Sequence, residues 1–144
     1  MNAIENEIKP NKEESFDASL LVNAPTVKLT DSILREATAM QASDIHIEPF
    51  ADFVRVRFRV DGALYTNSKL PVESYPAVLA RIKIMAELDI SERRIPQDGK
   101  ISLEIDGKKY DYRVSTLPTI YGEKIVMRIA SKEGFNVDIS RLGL

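Results

Sequence analysis

Residues 100–130 alternate apolar and polar side chains through three successive segments, joined by two tight turns. No other stretch constrains the fold so strongly, because a one-residue slip in any strand would move its apolar set to the wrong face. Asp106-Gly107 is a two-residue hairpin signal. Pairing across it sets Leu103 opposite Tyr110 and Ile101 opposite Tyr112, facing inward. Facing outward it sets Glu104 opposite Lys109, Ser102 opposite Asp111, and Lys100 opposite Arg113. The second turn, 119–122, is symmetric about Ile120 and Tyr121. It sets Tyr112 opposite Ile129, Val114 opposite Met127 and Thr116 opposite Ile125 on an apolar face. The two registers agree on which face of the middle strand is buried.

The second register also sets Arg113 opposite Arg128, so Lys100, Arg113 and Arg128 form one cationic row across three strands. Like charges directly opposite on a sheet are destabilising. Solvent, a carboxylate or a bound anion must offset the repulsion. Two readings follow: a solvated sheet face with Glu104, Asp111 and Glu123 nearby, or a site for phosphate, which the arginine fork suits.

The preceding chain supplies two helices and two or three more strands. Thr30 is the expected N-cap of a first helix, with Ile33, Leu34, Ala37 and Met40 at helical spacing. In residues 44–48 the isoleucines point one way and Asp44, His46 and Glu48 the other; Pro49 ends the strand. Residues 53–60 alternate Val54, Val56, Phe58 and Val60 against Arg55, Arg57 and Arg59. Asp61-Gly62 turns the chain, and residues 63–70 return as a short strand. Ser74 is read as the cap of a second helix that buries Val78, Leu79, Ile82, Met85 and Ala86 and leaves Arg81, Lys83 and Glu87 solvated. Residues 89–99 read as a loop. The expected fold is α+β: two layers, a mainly antiparallel sheet of about five or six strands, and two main helices on one face.

The chain of 144 residues carries a net charge of −2 and no cysteine. A disulfide framework and a thiolate metal site are therefore excluded. Residues 1–19 hold five acids and two lysines, a net −3 that leaves the rest near +1. A nearly neutral body argues against a general polyanion binder. No signal-peptide layout occurs at the start, and no apolar run approaches a membrane span. Residues 1–22 read as a flexible acidic tail or linker.

The remaining candidates are weaker. Arg55, Arg57 and Arg59 are read either as a solubilising stripe or as a partner or interdomain face. His46 is the only histidine and has no partners at metal-ligand spacing, so it reads as a hydrogen-bonded structural residue, with no metal site. Gly99-Lys100 looks like the end of a P-loop, but Arg94 stands where the first glycine belongs and Ile101 where Ser or Thr belongs. The chain is thus not expected to hydrolyse nucleotide alone. Tyr110, Tyr112 and Phe58 fall on the buried face, which removes the stacking platform of an RNA-binding sheet.

Seven ordered motifs carry a family resemblance: Ala24-Pro25 through Leu29, Ala42 through Pro49, Val56 through Gly62, Arg81 through Ala86, Ile95 through Gly99, Arg113 through Thr116, and Gly122-Glu123 through Arg128. Together they resemble the domain preceding the motor domain in the GspE/PilB-type ATPases of type II secretion and type IV pilus assembly. The resemblance implies a PAS-like domain over residues 23–131, and a connector over 132–144 leading to a RecA-like ATPase domain absent from the chain. It implies no cofactor for this chain, and ATP and Mg2+ for the full-length protein. It implies arginines, here Arg113 and Arg128 with Lys100 as a third candidate, reaching nucleotide phosphates held by the motor domain. Many members have arginine where this chain has Lys100. The implied partners are the protein's own motor domain, neighbouring subunits of a homohexamer, and the inner-membrane platform, with no nucleic acid and no membrane insertion. The implied location is the cytoplasm, peripheral at the inner membrane. The alternatives are a stand-alone PAS-like ligand sensor and a protein-docking module.

Overall fold

The computed structural model describes residues 24–131. The readings of residues 1–22 as a tail and of 132–144 as a connector lie outside them. The elements are α1 (Ala24–Ala39), β1 (Asp44–Pro49), β2 (Val54–Val60), β3 (Ala63–Leu70), a 3-10 turn (Val72–Ser74), α2 (Tyr75–Met85), β4 (Gln97–Ile105), β5 (Lys108–Thr119) and β6 (Gly122–Ser131). One six-stranded sheet has the order β3-β2-β1-β6-β5-β4, and every neighbouring pair is antiparallel. Both helices pack on one face, so the architecture is the expected two-layer α+β fold.

Strand alternation decides that face. Ile45, Ile47, Val54, Val56, Phe58, Ile101, Tyr112, Val114, Ile125 and Met127 are buried in one cluster with Ile33, Leu34 and Ala37 of α1 and Val78 and Ile82 of α2. Each of the Val, Ile, Leu, Phe and Met side chains among them contributes roughly 1.5–3 kcal/mol by leaving water. Tyr112 is wholly buried, and its hydroxyl is 2.8 Å from Thr38 Oγ1 on α1. Every pair expected for the two hairpins is present, from Glu104↔Lys109 to Thr116↔Ile125. Both Asp-Gly turns place two successive residues at positive φ, 53° and 84° at Asp61-Gly62 and 53° and 82° at Asp106-Gly107. Such turns match the twist of the flanking strands.

Five local expectations are corrected. Thr30 does not cap α1. The helix begins at Ala24, Pro25 sits in the first turn where a missing N–H costs little, and Thr30 is buried inside it. Met40 lies beyond the helix end and is exposed. Ser74 occupies the N-cap position of α2 but makes no side-chain capping bond, because the 3-10 turn before it already curls the backbone. The loop after α2 ends earlier than expected, since β4 starts at Gln97 and pairs it with Thr116. Lys83 is not solvated and Glu123 is not on the outer face: the two are buried together, Nζ to Oε1 2.8 Å.

Gly99 lies where β4 passes the end of α2. A Cβ there would meet the Ala86 carbonyl oxygen at 2.6 Å and Leu88 Cδ2 at 2.8 Å. Backbone cannot yield as a flexible side chain does. Gly99→Ala should therefore destabilise the fold by about 2 kcal/mol through overpacking. Urea unfolding of the variant checks this, and an unchanged midpoint would refute the close approach.

Candidate functional site

The outer sheet face assembles the charged residues. Lys100 pairs with Arg113, Arg113 with Arg128, Arg128 with Asp44, and Asp44 with Arg59. The cationic row expected from the hairpins thus continues across β1 into β2, and a carboxylate interrupts it. The repulsion between Arg113 and Arg128 is offset partly by that carboxylate and partly by water. Asp44 Oδ1 lies 3.7 Å from Arg128 Nε, while the Arg128 side chain remains 76% exposed. Arg113 and Lys100 are exposed too, and no carboxylate among the described residues forms an ion pair with either. Their charge is free to meet an anion.

The stripe of Arg55, Arg57 and Arg59 is different. Glu48 Oε1 accepts from Arg55 and Arg57 Nη2, both at 3.0 Å, and Lys124 Nζ is 3.6 Å from Oε2. Asp44 Oδ2 accepts from Arg59 Nε at 2.9 Å. Arg55 also stacks over Phe50, 4.9 Å from the ring centroid. These guanidinia are half-buried and each is ion-paired, Arg55 and Arg57 sharing the single carboxylate of Glu48. Sequence reading missed Asp44 and Glu48 as their partners. The usable signal was their shared outward parity on β1, the strand directly before β2.

His46 sits between Asp44 and Glu48 on that face, and Nε2, 3.8 Å from Asp44 Oδ2, is buried without the hydrogen bond expected of it. Burial lowers its pKa from the ordinary 6.5; Asp44 and Glu48 oppose this, while Lys124 and Arg57 add to it. For Glu48, burial acts upward, but the hydrogen bond from Arg55 and the charges of Arg57, Arg55 and Lys124 outweigh it, and its pKa falls below 4.5. Both folded-state values lie below their unfolded ones. The stability they contribute is present above the unfolded pKa and is lost as pH falls through the folded one. Unfolding midpoints should therefore decline from below pH 6.5, with a second decline below 4.5. His46→Gln should remove the first decline while leaving the second, as read by thermal unfolding across pH.

A groove of about 980 Å³ lies between α2, the loop after it and the β5–β6 turn, lined by Phe50, Val72, Leu79, Leu88, Ile90 and Tyr121. Lys83 and Glu123 also line it. Lys83 Nζ donates to Glu123 Oε1 and to the Glu92 carbonyl at 2.7 Å, and the Tyr75 hydroxyl donates to the Glu123 carbonyl at 2.6 Å. Burial, with Glu123 adding to it, pushes the Tyr75 pKa up. Gly99 and Lys100 lie within β4, in extended chain rather than a phosphate-wrapping loop. Among the described residues no helix is long and apolar enough to cross a membrane, and no group of three His, Asp or Glu is placed to hold a metal ion.

A family model described as "Type II/IV secretion system protein" matches residues 20–144. The type IV pilus assembly ATPase PilB of Myxococcus xanthus is 46% identical over 140 residues, 95% of this chain and 25% of that protein. The type II secretion system protein E of Xanthomonas campestris is 48% identical over 124 residues, 86% of this chain and 22% of that protein. Its counterpart in Klebsiella pneumoniae is 45% identical over 135 residues, 94% of this chain and 27% of that protein. The chain thus spans about a quarter of the length of these relatives. Five of the motifs that carry the resemblance overlap the strands bearing the charged row, and the chain belongs to the type II/IV secretion system protein family, as the N-terminal domain of its GspE/PilB-type members.

Proposed function

We propose that this chain is the non-catalytic domain of a hexameric traffic ATPase for type II secretion or type IV pilus assembly. In this reading Arg113 and Arg128 reach the phosphates of ATP·Mg2+ held by a separate motor domain, with Lys100 at the end of the row. Closing this domain on the motor domain adds cationic charge where negative charge develops, which is how an arginine finger accelerates phosphoryl transfer. Turnover and domain motion are coupled because the arginines arrive only in the closed arrangement. The partners are then the protein's own motor domain, the neighbouring subunits and the inner-membrane platform, on the cytoplasmic side.

One observation carries the reading: two exposed guanidinia are held opposite each other on adjacent strands, and a single carboxylate reaches one of them. Solvent and Asp44 offset the repulsion only in part, and a bound anion would relieve the remainder. The Arg55/Arg57/Arg59 stripe, proposed as an interdomain face, offers less to an acidic partner because each guanidinium is already paired with Glu48 or Asp44 and only part of its charge is left over. A ligand-sensing role is less supported: the Lys83 ammonium beside the groove is turned inward to Glu123 and the Glu92 carbonyl, away from any guest. The test is ATP turnover by the full-length protein carrying Arg113→Ala or Arg128→Ala. Near-normal turnover in both would sink the reading.

A further inference from the structure

Asp44 is a carboxylate buried to 8% exposure at the start of β1, and its two oxygens serve two different arginines. Oδ2 accepts from Arg59 Nε at 2.9 Å; Oδ1 faces Arg128 Nε at 3.7 Å, a charge contact rather than a hydrogen bond. The backbone fixes its place. Ser43 donates its N–H to the Arg59 carbonyl at 2.8 Å, and Ile129 donates to the Ser43 carbonyl at 3.0 Å. Asp44 is thereby pinned between the two strands that carry its partners.

The division of its oxygens matters. A carboxylate that merely neutralised Arg59 would have no reason to direct its second oxygen at Arg128. One that neutralised Arg128 would engage the terminal fork, where two parallel hydrogen bonds form. Asp44 approaches Arg128 at Nε, the inner edge of the guanidinium, and the Arg128 side chain stays 76% exposed. Arg59 already balances the Asp44 charge, so Arg128 remains a net cation. Arginine side chains carry substantial rotamer freedom, and restricting one before an anion arrives lowers the cost of binding it.

We propose that Asp44 is a positioning residue for Arg128, holding it by its Nε edge so that its terminal nitrogens face the phosphate. This rests on the phosphate reading of Arg113 and Arg128. The experiment is steady-state ATP hydrolysis by the full-length protein as wild type, Asp44→Asn, Arg128→Ala and the double variant. Asp44→Asn is expected to lower kcat/KM about fivefold in the wild-type background, and less than twofold once Arg128 is alanine. A merely structural role would cost the same in both backgrounds. Equal losses in the two backgrounds, or no loss from Asp44→Asn where Arg128→Ala is impaired, overturn the positioning role and leave the phosphate reading standing. Normal turnover of Arg128→Ala overturns the phosphate reading itself. Should Asp44→Asn not fold, Asp44→Glu carries the test, because it keeps a carboxylate for Arg59 and displaces the oxygen that faces Arg128 Nε. It is expected to lower kcat/KM about fivefold with Arg128 present and less than about twofold with Arg128→Ala, and equal losses in the two backgrounds would overturn the positioning role.

Discussion

If the full-length protein is the ATPase proposed above, Arg128→Ala and Arg113→Ala are each expected to lower its kcat by roughly a hundredfold or more. The magnitude follows from where the charge acts. An arginine that meets the phosphoryl group as negative charge develops stabilises the transition state more than the bound substrate, so the loss falls on kcat more than on KM. Stability should move little, or the other way. Both side chains are exposed, and removing either relieves a like-charge contact across β5 and β6. Thermal unfolding of the same variants separates the two causes. A kcat loss accompanied by a large fall in Tm would mean that the row is structural. Combining the two alanines should cost less than the product of the single losses, since both act on one charge.

Lys83→Met is expected to destabilise the fold by about 3–5 kcal/mol, and Glu123→Leu by a similar amount. Each leaves the other charge buried without its partner, and Lys83 and Glu123 side chains are only 1% and 3% exposed. Lys83 does more than pair: its bond to the Glu92 carbonyl fastens the loop after α2 to the start of β6. The double variant Lys83→Met/Glu123→Leu should recover most of the loss, because a buried ion pair replaced by apolar side chains of similar volume is often neutral or better. A double-mutant cycle by urea unfolding reads the coupling. Single variants that cost under about 1 kcal/mol would show that water reaches the pair.

The hairpins over residues 97–131 were legible because a period of two and an Asp-Gly turn leave one register that buries Ile101, Tyr112, Val114, Ile125 and Met127 together. The opposition of Arg113 and Arg128 follows from that register, so half of the candidate site could be read before any coordinates. Glu123 could have been read as well, since it shares the parity of Ile125 and Met127. Its charge argued for solvent, and nothing local announces a buried lysine 40 positions earlier. Thr30 misled because a Thr-Asp pair is a good capping signal wherever it occurs, while tertiary packing extended α1 by about two turns before Asp31.

By itself the sequence determined the alternation of each strand, the two tight turns, the helical stripes and the family, all of which depend on residues close together in the chain or on ordered motifs. Only the tertiary structure decided that β1 lies between β2 and β6. That single adjacency brings Asp44 between Arg59 and Arg128 and stations Glu48 among Arg55, Arg57 and Lys124. The same holds for Lys83 against Glu123, where a helix meets a strand. The physical reason is common to all of them. Hydrophobic periodicity specifies which face a residue takes, whereas ion pairs between distant segments depend on strand order, which follows from packing the whole sheet beneath two helices.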